Sequence, residues 1–367
     1  MKFKERLVAY KKIQEDKKSG KWNYIPFVSL PRLSNIVPGI IKGVGYLLGA
    51  SSGVGKSQLA RFLFIEEPLA FLKKYPDSGL SVKIIFNALE ETEDEILDIL
   101  IARRMKTEYN IDISVMELNG NDTHYVPDHI LTKIAECEDY FSELSKHLEI
   151  VDIGNTYGFY KHVREYARRN GKFYRHGVEV EIPENADWSK HNWNSYTPNN
   201  PNEIVIVISD HIWLYSANTS QGESKYQTLE NFSAQYCRRI MNNKFGYATV
   251  NIQQFFVASE MQQFDNKGKT IVAKIEPSIE SFGDIKILIR DHLVVFGLFS
   301  PARHNLEEYR GYDINKLDDN FRGLFILKNR KGKGENKFIP LFFDGAINKF
   351  EELPKPEDII EINKFYQ

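Results

Sequence analysis

Cysteine is nearly missing from this chain: its 367 residues include two, Cys137 and Cys237, far apart and in no C-x-x-C pair. That argues against a disulfide framework and a cysteine-based zinc site, and it suits a reducing compartment. The nine histidines are scattered without ligand-like spacing, so no metal cluster is expected beyond an ion carried by a nucleotide. An excess of one charge is missing as well. Lys and Arg number 48 against 50 Asp and Glu, for a net charge of −2. No global field draws nucleic acid to such a chain, and any contact with it has to come from local basic segments. Long apolar runs are lacking too. The best candidate, 204–214, is broken by Asp210 and His211, well short of the roughly 18 residues a membrane span needs. The start, Met1 to Arg6, carries charge with no apolar segment behind it, unlike a signal peptide. These absences predict a cytoplasmic protein with no membrane partner. With 42 % hydrophobic and 27 % charged residues, a soluble globular chain with an ample core is expected.

Among what is present, one stretch carries most of the chemistry. Residues 50–57 read Ala-Ser-Ser-Gly-Val-Gly-Lys-Ser, behind the apolar run Gly45-Tyr46-Leu47-Leu48 and ahead of Gln58-Leu59-Ala60-Arg61-Phe62-Leu63-Phe64. Strand, glycine-rich turn and helix start, in that order, form the context of a phosphate-binding loop. Gly53 and Gly55 let the backbone curl. Successive N–H groups from Ser52 through Val54 to Gln58 can then turn inward on phosphate oxygens, and the helix N-terminus adds its partial positive charge. Lys56 is expected to reach the β- and γ-phosphates of ATP, and Ser57 to place its hydroxyl on Mg²⁺. Ala50 stands where the strict pattern wants its first glycine, with Gly49 one residue early. The plainer alternative is a glycine-rich loop capping a helix.

Residues 1–34 read as an N-terminal arm, lysine-rich through 21, with Leu7, Tyr10 and Ile13 on one helical face. Pro26, Pro31 and Pro38 punctuate the way into the core. Over 35–354 strand-like and helix-like segments alternate. The strand-like runs are 45–48, 82–86, 148–153, 204–209, 248–253, 293–299 and 324–328. Helix-like segments include 58–64, 93–105, 127–147, 159–170 and 228–243. This alternation predicts an α/β fold: a mostly parallel, doubly wound sheet with helices on both faces. Residues 355–367 form a tail. Residues 106–126 are polar and turn-rich. Residues 171–202 hold Phe173, Tyr174, Trp188, Trp193 and Tyr196 among Asn, Pro and Gly, and read as an inserted hairpin or long loop, with Arg168, Arg169, Lys172 and Arg175 at its start. Basic and aromatic residues together could clamp a single strand. Equally, the aromatics could pack the insertion onto the body and leave the arginines solvated.

A phosphate loop needs an acid at the end of a neighbouring buried strand. The run Ile204-Val205-Ile206-Val207-Ile208-Ser209 supplies Asp210, placed to hold the Mg²⁺ shell beside Ser57. His211 reads as structural. Hydrolysis needs a base for the attacking water, and the strand 82–86 leads through Asn87-Ala88-Leu89 to Glu90 and Glu91. Glu90 is the expected base. Glu93 and Asp94 read as helix N-terminal charges, with Thr92 as the cap. A further strand ends in Gln253-Gln254. Gln254 could report a γ-phosphate to the long segment 255–283, which carries Lys267, Lys269 and Lys274.

In this order the parts resemble the ATPase domain of DnaB-type replicative hexameric helicases, a branch of the RecA-like P-loop ATPases. The matching stretches are the loop 50–57, Phe86-Asn87-Ala88-Leu89-Glu90, Ile208-Ser209-Asp210, Gln253-Gln254 followed by Ser259-Glu260, and Leu327-Lys328-Asn329-Arg330-Lys331-Gly332. The last resembles the family's Lys-x-Arg-x-Gly turn. The resemblance implies that Lys328 and Arg330 reach a neighbouring subunit's ATP; an ordinary basic hairpin is the alternative. It also implies ATP and Mg²⁺ as cofactors, single-stranded DNA as partner, a homo-oligomer forming a hexameric ring, and engagement of a primase or a loader. It covers residues 35–353. It leaves no room for the helical N-terminal domain of cellular members, so the lean build looks phage-like, and the 171–202 insertion has no counterpart. The expected function is an ATP-hydrolysing DNA helicase. The alternatives are a recombinase or single-strand annealing protein using ATP as an assembly switch, and a signalling ATPase of the same fold.

Overall fold

The computed structural model describes residues 3–121, 123–184, 186–219, 222–256, 270–283, 286–335 and 337–366. Nine strands form the central sheet: β1 (Gly45–Ala50), β2 (Ser81–Ala88), β3 (Leu148–Val151), β4 (Glu203–Asp210), β5 (Ala248–Gln254), β6 (Val294–Phe299), β7 (Phe321–Asn329), β8 (Lys337–Asp344) and β9 (Lys349–Glu352). Their spatial order is β9-β8-β7-β6-β1-β5-β4-β2-β3. From β6 to β3 every pairing is parallel. From β6 outward through β7 and β8 to β9 every pairing is antiparallel. The expected parallel sheet is present, extended by an antiparallel edge of which the sequence pattern predicts only 324–328.

Buried parallel strands read as apolar on both faces, and here alternate residues feed two cores. Tyr46, Leu48, Ile84, Phe86, Ile206 and Ile208 join one. Leu47, Ile85, Val205 and Val207 join the other. The helices divide accordingly. The first core is covered by α2 (Lys56–Arg61), which runs through a wide π-helical stretch (Phe62–Glu66) into α3 (Glu67–Lys74). The helix α4 (Glu93–Tyr109) packs on the same side through Ile96 and Leu100. The second core is covered by α7 (Thr156–Arg169) and by α8 (Lys225–Asn231), which continues as a π-helix over Phe232–Phe245. The helix expected over 127–147 is two, α5 (Asp128–Ala135) and α6 (Glu138–His147).

The terminal segments join the body further than the arm and tail suggest. Helix α1 (Phe3–Lys18) buries none of its residues, but Ile25, Phe27, Leu30 and Leu33 are fully buried in the core. Glu352 on β9 accepts hydrogen bonds from the backbone N–H groups of Arg32 and Leu33 at 3.0 and 2.8 Å, and from Arg32 Nε. Core structure thus begins near Ile25, ahead of residue 35. At the other end Ile362 is buried, and Phe365 lies 5.4 Å from the Phe342 ring. The 171–202 insertion is a three-stranded antiparallel sheet of Gly171–Arg175, Val178–Val180 and Ser195–Pro198. Phe173 sits about 5 Å from each of Trp188, Trp193 and Tyr196, and Trp193 stacks on Phe245 of the helix before β5. The aromatics pack the insertion down. The clamp reading of the basic cluster loses support: Arg168 pairs with Glu165 at 2.6 Å and Lys172 with Glu179 at 3.0 Å. Among the described residues no helix is long and apolar enough to cross a membrane.

Candidate nucleotide site

The carboxyl ends of β1, β2, β4 and β5 lie at one edge of the sheet, because the four strands are parallel. The loop leaving β1 turns through Gly53 (φ 68°) and Gly55 (φ 101°), left-handed conformations that suit glycine. Helix α2 begins at Lys56, with Lys56 and Ser57 both buried. Gly49 has a different task from the loop glycines: a Cβ there would collide with the rings of Phe255 and Phe282. The early glycine therefore reflects packing behind the loop, while Ala50 fits at the strand's end.

The two neighbouring glutamates meet different cations. Lys56 Nζ lies 3.2 Å from Glu90 Oε2, and the Glu90 side chain is half-exposed. Glu91 pairs instead with Arg61, which is 1 % exposed on α2. Glu91 thus neutralises a buried guanidinium, and Glu90 is the carboxylate that faces the loop lysine. Thr92 caps α4 in a full capping box with Glu95. Asp210, at the end of β4, is buried and accepts a hydrogen bond from Ser57. Burial pushes its carboxyl up to about 6, against the opposing pull of the Ser57 hydrogen bond, Arg61 and Lys56. Its Oδ1 has no hydrogen-bond partner among the described residues. A desolvated carboxylate with an orphaned oxygen, beside a serine hydroxyl at the mouth of a phosphate loop, is a donor set that fits a hydrated Mg²⁺. His211 is buried, with its basicity lowered by that burial and then by Lys56.

Gln254 pairs in register with Ala50 and so stands next to the loop, while Gln253 is buried one position back. Of the segment beyond it, 257–269 lies outside the described residues, including Ser259, Glu260, Lys267 and Lys269. Lys274 is on a short helical turn, exposed. Two arginines at the loop are absent from the sequence-based expectations. Arg303 donates to the Ser52 carbonyl. Arg322 is 1 % exposed, and its Nε donates to the Val54 carbonyl at 2.7 Å while the guanidinium pairs with Asp319. A single arginine inside the apolar run of β7 is the available signal for Arg322. For Arg303 there is none.

The turn after β7 lies at the opposite edge. Asn329 pairs with Val294 at the start of β6, and Val294 pairs with Tyr46 near the start of β1, whereas the phosphate loop leaves the other end of β1. Gly332 is required there, since a Cβ would clash with the Ile36 carbonyl. Asn329 braces the turn by accepting from the N–H groups of Lys331 and Gly332. Arg330 stands exposed on it. Lys328 does not share that exposure: it is buried, and its Nζ donates to the carbonyls of Ile289 and Arg290. Burial, then the charges of Arg330 and Arg238, push Lys328 down to about 8.

No family model matches the sequence, and no curated protein matches it significantly. Solved structures do match the fold. The solved ATPase domain of a helicase superposes with a TM-score of 0.67 at 16 % identity, over 96 % of this chain and 99 % of that one. A structure described as a DnaB-like replicative helicase and its interactions with primase gives 0.64 at 15 % identity, over 95 % of this chain and 68 % of that one. The fold is therefore the RecA-like P-loop ATPase fold, in the form seen in DnaB-type helicase ATPase domains.

Proposed function

We propose that the protein is an ATP-hydrolysing DNA helicase of the replicative ring type, translocating on single-stranded DNA. The observation that carries this reading is the split between the sheet edges. A complete phosphate loop, Asp210, Glu90 and Gln254 stand at one edge, and a braced turn presents Arg330 at the other. Arg330 cannot reach its own chain's loop across the length of the sheet, so a role at ATP requires a second copy. That is the logic of a ring whose sites are completed in trans.

Within one site, Lys56 supplies a point charge to the β- and γ-phosphates, and the N–H groups from Ser52 to Gln58 line the cradle. Ser57 and Asp210 would hold Mg²⁺, which when bound neutralises charge on the phosphates. Nucleotide phosphates would take Lys56 away from Glu90. The freed carboxylate then accepts a proton from the attacking water. Gln254, at the loop's side, carries the γ-phosphate's presence into 255–283, the segment proposed to touch DNA through its lysines. Engagement of a primase or loader is carried by the likeness to the second matched structure alone.

The test is a duplex fork with free single-stranded arms. With ATP the protein should displace the annealed strand. With a non-hydrolysable analogue, or as Lys56→Ala, it should not. Active ATP turnover with strand pairing and no displacement would replace this reading with the recombinase one.

A further inference from the structure

The aromatic insertion makes something besides a packed loop. Where it meets α7 and the helix before β5 there is a cavity of about 440 Å³, lined by Arg164, Trp188, His191, Trp193, Arg239 and Lys244 among others, with no carboxylate among the described residues of the lining. Elsewhere on this side of the molecule cations meet acids: Arg168 has Glu165, Lys172 has Glu179, and Arg238 has Asp291. In the cavity Arg164 and Lys244 rest on rings instead, and Arg239 donates to the Gln235 amide oxygen. The Arg164 guanidinium is 4.5 Å from the Trp188 ring and 5.2 Å from Tyr160, and Lys244 Nζ is 4.4 Å over Trp193. Arg164 is 4 % exposed and Trp188 is 7 % exposed, and the donors Arg164 Nε and Trp188 Nε1 have no hydrogen-bond partner among the described residues. Burial, then the charge of Arg239, lowers the basicity of Lys244.

Buried unpaired donors are costly and call for an acceptor. Arg239 and Lys244 at the cavity mouth, with the buried Arg164 behind them and no carboxylate in the described lining, suit a multi-oxygen anion. The rings themselves are committed. Tyr160 stacks on Tyr236 with centroids 4.3 Å apart, and Trp193 stacks on Phe245. They fix the cations rather than offering a free face to a base. The cavity is also remote from the phosphate loop: Lys244 lies just before the start of β5, and Tyr166 on α7 bonds Glu203 at the start of β4.

We propose that this cavity is a second phosphate-binding site, separate from the nucleotide loop, which takes the phosphoryl oxygens of a single-stranded nucleic acid or of a small phosphorylated compound. Binding of pyrophosphate and of a short oligothymidylate is to be measured calorimetrically on the full chain carrying Lys56→Ala, so that the nucleotide loop contributes little. The double variant Arg239→Gln, Lys244→Gln changes groups at the cavity mouth and leaves the packed rings in place. It should weaken pyrophosphate binding at least tenfold. If the source is a strand, oligothymidylate binding also falls, and the slope of log affinity against log salt shrinks by about 0.7 per lost phosphate contact. If oligothymidylate binding holds while pyrophosphate binding falls, the source is a small compound. Arg164→Gln should reproduce the loss if it folds. ATP turnover of the double variant with Lys56 intact should match the parent. Both probes binding the double variant as tightly as the parent would overturn the proposal.

Discussion

The two edges of the sheet differ in how their key cations are partnered. At the loop edge two cations are matched to acids across elements, Lys56 to Glu90 and Arg61 to Glu91, while the buried Asp210 has the neutral Ser57 hydroxyl. Toward the far edge, beside ordinary pairs such as Arg238 with Asp291, three cations rest on something other than acids: Lys328 on backbone carbonyls, and Arg164 and Lys244 on aromatic faces. A matched pair can give up one partner to an incoming nucleotide, and the half-exposed Glu90 then left unpaired can be hydrated. Arg164 and Lys244, without an acid beside them, leave a place for a negative group from outside the chain. These differences agree with the proposed roles, ligand turnover at the loop edge and contact with a neighbour or an anion toward the far edge.

The largest expected effect breaks the far edge. Arg330→Ala should lower ATP turnover in the assembled protein by a factor of about 10³ or more, the range attached to an arginine finger. Nucleotide binding should be nearly unchanged, since the residue is remote from its own loop. Doping Arg330→Ala chains into the parent should depress activity more steeply than their mole fraction. A strictly linear loss, or full activity in a verified monomer, would show that nothing acts in trans. Because Lys328 is enclosed by its own chain, Lys328→Ala should show up first as lost stability.

The next effect separates two neighbours at the loop edge. Glu90→Gln should cut turnover by a factor of about 10² to 10⁴ while ATP still binds, because an amide cannot take the proton from water. Its melting temperature should fall less than that of Glu91→Gln, since Glu90 is half-exposed and Glu91 is more covered. Glu91→Gln should do the reverse. It strands the buried Arg61 charge and should cost about 3 kcal/mol in unfolding free energy. Denaturant curves and turnover assays on both variants resolve the assignment. A catalytic loss confined to Glu91→Gln would move the base one residue along.

Much of this is legible before any geometry. Glycines flanked by strand and helix announce a phosphate loop, and the apolar run ahead of Asp210 announces a buried strand end, because the patterns are local. Glu90 and Glu91 read almost alike in sequence, and only the position of Arg61 across α2 separates them. Lys328 and Arg330 likewise share a motif, yet one is enclosed at the end of β7 and the other stands exposed on the turn beyond it. The cation cavity is unreadable in sequence, since Arg164, Trp188 and Lys244 come from three segments that meet only in the fold. The basic cluster at 168–175 draws attention instead, and Arg168 and Lys172 within it are spent on nearby glutamates. Arg303 at the loop depends on the same kind of long-range contact.

The smallest expected effect concerns the desolvated charge held at the loop edge before a nucleotide arrives. Burial lifts the Asp210 carboxyl from its ordinary value to about 6, so the folded state holds that proton more tightly than the unfolded one. Its contribution to stability is full below about pH 4 and is lost as pH rises through about 6. At neutral pH the ligand-free protein therefore carries a buried charge. Asp210→Asn keeps the shape and removes the charge. It should stabilise the ligand-free protein by about 2 kcal/mol at pH 7 and by almost nothing at pH 4. Glu66, also buried and raised to about 7, has the same sign in an overlapping window. The useful quantity is thus the difference between variant and parent melting temperatures across pH, which cancels Glu66. Mg²⁺ with ATP should reverse the ranking, stabilising the parent more than the variant. If Asp210→Asn melts lower than the parent at pH 7 without ligand, the carboxylate is a structural partner at this edge, and the Mg²⁺ assignment loses its physical basis.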